Sequence, residues 1–177
     1  DVEQVSRINN LRTRQHVVHA ERLRAISKAA EAKAQQDESV EQGLAQRELA
    51  RALEAEKEID EKWYSSGMAD KGKIAQIATR IRRIEAEPIW KKTRSLEAQA
   101  EKFFKEQKLL EAEDCFNEAI ALEQEFTEKY RDVLNTEFNR INKLNVRLET
   151  VRSFSLQQDL LKTEKDANDR QITMSLQ

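Results

Sequence analysis

The chain has 177 residues, 36% of them Asp, Glu, Lys or Arg, yet these nearly cancel to a formal net charge of −2. Three glycines and one proline leave too few turns for a β sandwich, a barrel or a doubly wound α/β fold. Ala, Glu, Lys, Leu and Arg make up about half of the chain, the composition of long helices and coiled coils.

The first helix is expected from Val2 to Gln36, with Val2, Val5, Ile8 and Leu11 opening an apolar stripe that thins to alanine after Ile26. Ser39 with Gln42 three residues later reads as a capping box that starts a second helix. That helix carries Leu44, Leu49, Leu53, Ile59 and Trp63 and closes at Gly67, a candidate left-handed cap; one continuous helix through 36–43 is the alternative. Met68 to Lys73 is a loop. A third helix follows with Ile74, Ile77, Ile81 and Ile84, and Pro88 either kinks it or begins a new one. Glu106-Gln107-Lys108 is a tight turn without glycine.

From Leu109 to about Asp166 nothing interrupts the pattern. Apolar residues step by three and four through Phe116, Phe126, Tyr130, Phe138, Ile141, Leu148 and Val151, with Glu123 and Asn145 as polar exceptions. One very long coiled-coil helix is expected there. Residues 171–177 alternate with period two and read as a strand, the start of a following domain. The expected division is therefore 1–66, a helical hairpin or long helix; 67–170, a hairpin running into the long helix; and 171–177, the strand-like tail. A chain opening on Asp1 is expected to be a processed product or an excised segment.

Charge lies in blocks of alternating sign: residues 7–33 basic, 37–61 acidic, 71–94 basic, 109–131 acidic. Antiparallel neighbours would match along their flanks, which selects pairing more than it stabilises.

Few motifs carry chemistry. Gly67-x4-Gly72-Lys73 has the spacing of a phosphate-binding loop, but Ile74 stands where a hydroxyl is needed and a helix rather than a strand precedes it. His16 and His19 share a helix face without a third ligand. The lone Cys115 falls on the apolar seam, so it reads as a structural thiol and no internal disulfide is possible. Arg80, Arg82, Arg83, Lys91, Lys92 and Arg94 form a candidate anionic-surface or nucleic-acid patch, which the acidic blocks on either side disfavour. Neither a catalytic set nor a cofactor or metal site emerges, and no apolar run reaches the roughly 18 residues of a membrane span.

One motif is more specific. Leu96, Ala100, Phe103, Ala112, Phe116 and Ala119, across a short turn, resemble a single tetratricopeptide-repeat hairpin over about residues 93–126. The resemblance implies two closely packed helices, the alanines allowing the approach and the phenylalanines filling it. Gln107-Lys108 replaces the usual turn and Gln124 the usual proline, and one copy alone does not make a peptide-binding groove. No second copy is evident. The tail Ile172 to Gln177 is similar to the first strand of the small periplasmic domains of bacterial secretin-type channels, which implies a helical N-terminal extension of such a protein.

The fold expected is all-α: elongated antiparallel coiled-coil hairpins, one of them tetratricopeptide-like, with a very long C-terminal helix. The expected function is non-enzymatic scaffolding, as a homo-oligomer or within a larger assembly, through an interface of Phe126, Tyr130, Phe138, Ile141, Leu148 and Phe154. The alternatives are a periplasmic extension of a secretion or pilus secretin, and an anion binder using residues 80–94. Location follows the reading: cell envelope for the secretin resemblance, cytoplasm otherwise.

Overall fold

The structure is a computed structural model and describes residues 2–38, 41–133 and 139–175. Five α-helices follow in order: α1 (Val2–Asp37), α2 (Gln42–Lys62), α3 (Lys71–Lys105), α4 (Leu109–Tyr130) and α5 (Arg140–Ser175), with a 3-10 turn at Tyr64–Ser66. The described residues contain no strand. The fold is all-α.

The helix ends follow local chemistry. Gly67 closes the 3-10 turn with φ 71°, a conformation open to glycine because it has no Cβ. Asp70 then opens α3: its Oδ1 accepts the Lys73 N–H at 2.9 Å, as an N-cap does. At the other end of α3, Gln107 adopts φ 58°. The Lys108 N–H donates to the Phe103 carbonyl at 2.9 Å and the Gln107 N–H to the Phe104 carbonyl at 3.1 Å. This pair of bonds is a Schellman cap, built here on glutamine. The capping box expected at Ser39 lies outside the described residues.

Two expectations are corrected. The helix expected to run unbroken from Leu109 ends at Tyr130, turns through 131–133, and resumes as α5 at Arg140. The strand-like tail is helical as far as Ser175; alternation over so few residues does not separate a strand from an exposed helix end. Pro88 neither ends nor begins a helix but lies inside α3.

The chain divides into two compact units, Asp1–Glu85 and Ala86–Gln177. The first half of α3 belongs to one and the second half to the other. In the first unit α1 and α2 are antiparallel, as Lys33–Glu48 and Arg24–Glu56 contacts show, and α3 runs parallel to α1, as Lys73–Glu31 and Arg80–Glu38 contacts show. Its core joins Ala30, Ala34, Ala45, Leu49, Ile77 and Ile84. In the second unit the end of α3 and α4 are antiparallel, and α5 runs antiparallel to α4 and parallel to α3. Leu96, Ala100, Ala112, Phe116, Leu144 and Leu148 form its core. Each large apolar side chain so buried contributes about 1.5–3 kcal/mol.

The two units are one pattern repeated at a near-constant offset along the chain. On the first helix, Ala20, Ser27 and Ala34 correspond to Ala86, Thr93 and Ala100, and all six are completely buried. On the middle helix, Ala45, Leu49, Ala52, Glu56 and Ile59 correspond to Ala112, Phe116, Ala119, Glu123 and Phe126, again all buried. On the third, Ile77 and Ile84 correspond to Leu144 and Val151. The small and glutamate positions of the second hairpin therefore recur in the first, without its aromatics. That first hairpin is α1 with α2, where Leu49 takes the place of Phe116.

Candidate interaction surfaces

Each unit buries a carboxylate in its middle helix and meets it with a cation from its third helix. In the first unit Glu56, whose side chain is fully buried, lies 3.1 Å from Lys73 Nζ and 3.1 Å from Arg24 Nε. Lys73 Nζ also reaches Glu31 at 2.8 Å. Ser27 Oγ donates to Glu31 at 3.3 Å, and Arg24 Nη2 donates to the Met68 carbonyl at 2.5 Å. In the second unit Glu123 accepts from Arg140 Nε at 3.0 Å, and Arg140 Nη2 donates to Glu97 at 2.5 Å. Glu31, Glu56 and Lys73 thus recur as Glu97, Glu123 and Arg140. Burial lowers the Lys73 pKa, but hydrogen bonds and charge from Glu31 and Glu56 outweigh it and hold the pKa above the ordinary lysine value. Such groups fix register more than they add stability, because desolvation offsets much of the attraction.

A peripheral pair recurs as well. Gln46 Nε2 donates to Glu85 at 2.6 Å. At the corresponding positions Arg152 Nε donates to Glu113 at 2.7 Å. The partners have exchanged roles while the contact is kept.

The tetratricopeptide-like residues come together: Leu96, Ala100, Ala112, Phe116 and Ala119 share one core, with Phe103 half-buried against it. The expected interface does not form one surface. Phe126 and Leu148 are buried in the second unit, Tyr130 and Ile141 are half-buried, and Phe154, which meets Phe104 edge-on at 5.7 Å, is exposed. Phe138 lies outside the described residues. The correction has a simple cause: the chain turns after Tyr130, so α5 covers the seam that a single long helix would have left open.

The basic stretch is also largely committed. Within the first unit Arg80 pairs with Glu38, Arg82 is engaged and Arg83 is exposed. Within the second, Lys91 pairs with Glu87 at 2.7 Å, Lys92 pairs with Glu118 at 2.6 Å, and the Arg94 guanidinium lies 4.0 Å over the Trp90 ring. Lys73 of the phosphate-loop spacing is held by two carboxylates, and a helix and a 3-10 turn precede it. His16 and His19 both pack on Trp63, at 5.1 Å edge-on and 4.4 Å stacked, and His16 Nδ1 shares a hydrogen bond with Ser65 Oγ. Burial, then Glu118 and Asp114, raise the Cys115 pKa and keep the thiol protonated.

Exposed large apolar residues gather on the first half of α1 and along α5. Val2, Val5, Ile8, Leu11 and Val18 of α1 are exposed, as are Leu156, Leu160, Leu161, Ile172 and Met174 of α5. Among the described residues, no helix is long and apolar enough to cross a membrane. Comparison of the chain with protein-family models, curated proteins and solved structures found no match.

Proposed function

We propose that this chain is a non-enzymatic scaffold, in which repeated three-helix units present helix faces to protein partners. The observation that supports this reading is the recurrence of one packing and ion-pair pattern in both units, combined with apolar faces left exposed on α1 and α5. Repeat arrays build from units that contact their neighbours and bind through the surfaces so extended. Polar groups that chemistry would use, such as Glu56, Lys73, Glu123 and Arg140, are engaged with one another inside the units. The grooves between helices, such as that lined by Phe104, Val146, Thr150 and Phe154, suit side-chain contact.

The test is sedimentation of the protein from its native source. It is expected to travel in a complex well above its own 20.6 kDa. Removal of residues 2–18 or 156–175 should release it from that complex without loss of helix content in the remainder. Travel as a free monomer under native conditions would overturn the reading.

A further inference from the structure

The exposed start of α1 carries the third-helix pattern a third time. Arg7-Ile8-x2-Leu11-x2-Arg14-x3-Val18 stands one repeat length before Lys73-Ile74-x2-Ile77-x2-Arg80-x3-Ile84. That segment in turn stands one repeat length before Arg140-Ile141-x2-Leu144-x2-Arg147-x3-Val151. In the two later copies the pattern is covered. Ile77 and Leu144 are 3% and 1% exposed, and Lys73 and Arg140 each hold a buried middle-helix carboxylate and an acid of the first helix. In the earliest copy Ile8, Leu11 and Val18 are 50%, 59% and 62% exposed.

We infer that the Arg7–Val18 face of α1 is a docking site for a helix pair of the same kind as α1 with α2. The occupant's chemistry is set by the two covered copies. Its middle helix carries small residues at the contact, a large apolar residue, and a glutamate four positions after the second small residue, as in Ala45-x3-Leu49-x2-Ala52-x3-Glu56. Its first helix, parallel to α1, offers an acid where Glu31 and Glu97 stand. Arg7 takes the place of Lys73 between those two carboxylates, while Ile8, Leu11 and Val18 close the apolar seam. Charge agrees: the start of α1 is basic and the middle helices are acidic.

This inference names the partner class of the scaffold reading and rests on it. The test lengthens the protein by duplicating residues 20–72 directly in front of Arg7, so that Arg7 follows the added loop as Lys73 follows the original. Amide hydrogen exchange over residues 8–18 is expected to slow by at least about tenfold relative to the unmodified chain, approaching that of residues 74–84. Arg7→Glu in the lengthened protein should remove this protection. Thr13→Glu, at the position of the exposed Thr79 and Val146, should leave it. Unchanged exchange in the lengthened protein would overturn the proposal, and so would protection insensitive to Arg7→Glu. Protection of residues 8–18 in the unmodified chain that depends on its concentration would assign the face to a second copy instead. Failure of these results, with the protein still travelling in a large native complex, would leave the scaffold reading intact.

Discussion

Lys73 and Arg140 occupy the same position in successive copies of the repeat, and each holds a buried glutamate of the middle helix, Glu56 in one unit and Glu123 in the other. The chemical type of the cation has changed while its two acidic partners have not. An apolar residue would fill the same space without a desolvation cost. The ion pair instead fixes which faces of three similar amphipathic helices meet, and where along their length.

This arrangement predicts an asymmetry between single and paired substitutions. Glu123→Ala leaves Arg140, only 9% exposed in its side chain, with Glu97 as its remaining acid. The expected loss is about 3 kcal/mol, the low end for breaking a buried pair. Glu123→Met with Arg140→Met should cost little, or stabilise by about 1–4 kcal/mol. Urea denaturation of the three proteins measures this. A double variant that loses as much as Glu123→Ala would mean that the attraction within the pair exceeds its desolvation cost.

Lys73 gives the network a pH signature. Its pKa in the folded state lies above the ordinary lysine value of 10.5. A raised pKa contributes stability that is fully present below the unfolded value and is lost as pH rises through the folded one. As pH rises above about 10.5, the first unit should therefore weaken more in the wild type than in Lys73→Met. Every other titratable group is common to the two proteins, so the difference between the two profiles isolates Lys73. Parallel profiles would show that Glu31 and Glu56 do not hold its proton.

A local prediction concerns the cap of α3. Gln107 has φ 58°, where a side chain crowds the following carbonyl at a cost of roughly 1–2 kcal/mol that glycine avoids. The Schellman bonds from Lys108 and Gln107 to Phe103 and Phe104 belong to the backbone and survive the change. Gln107→Gly should raise stability by about 1 kcal/mol, read as a higher melting temperature of the second unit. A lower one would mean that the added freedom of the unfolded chain outweighs the relieved strain.

Much of the helical layout was legible before the structure, because the apolar steps of three and four and the scarcity of Gly and Pro leave few alternatives. The hairpin of Ala100, Ala112 and Phe116 was legible for the same reason. The recurrence of its small positions in α1 and α2 was not. Leu49 replaces Phe116 and Ala30 replaces Leu96, so only alanines and glutamates repeat, and these are common everywhere in this chain. The period is further disguised by α3, whose first half ends one unit and whose second half begins the next. Glu123 was legible as an exception in an apolar seam. Its meaning was not, because the cation it needs, Arg140, lies beyond a turn that contains no glycine or proline to announce it.

The equivalence of the two hairpins makes its own prediction. Ala45 and Ala112 are both completely buried, each one turn before the large residue of its middle helix, Leu49 or Phe116. A side chain with no more than a methyl group lets the first and middle helices approach closely. Ala112→Trp and Ala45→Trp should each overpack that approach and destabilise by about 1–3 kcal/mol. The two losses should be of similar size if the positions are truly equivalent. Ala121, exposed on α4, is the control, and Ala121→Trp should change stability by no more than about 0.5 kcal/mol. The readout is hydrogen exchange resolved by segment, so that each variant reports on its own unit: Ala45→Trp should loosen α2, and Ala112→Trp should loosen α4. Loosening at Ala112 with none at Ala45 would mean that the smaller Leu49 leaves room that Phe116 fills. The repeat would then be one of position and charge, with its packing unequal in the two units.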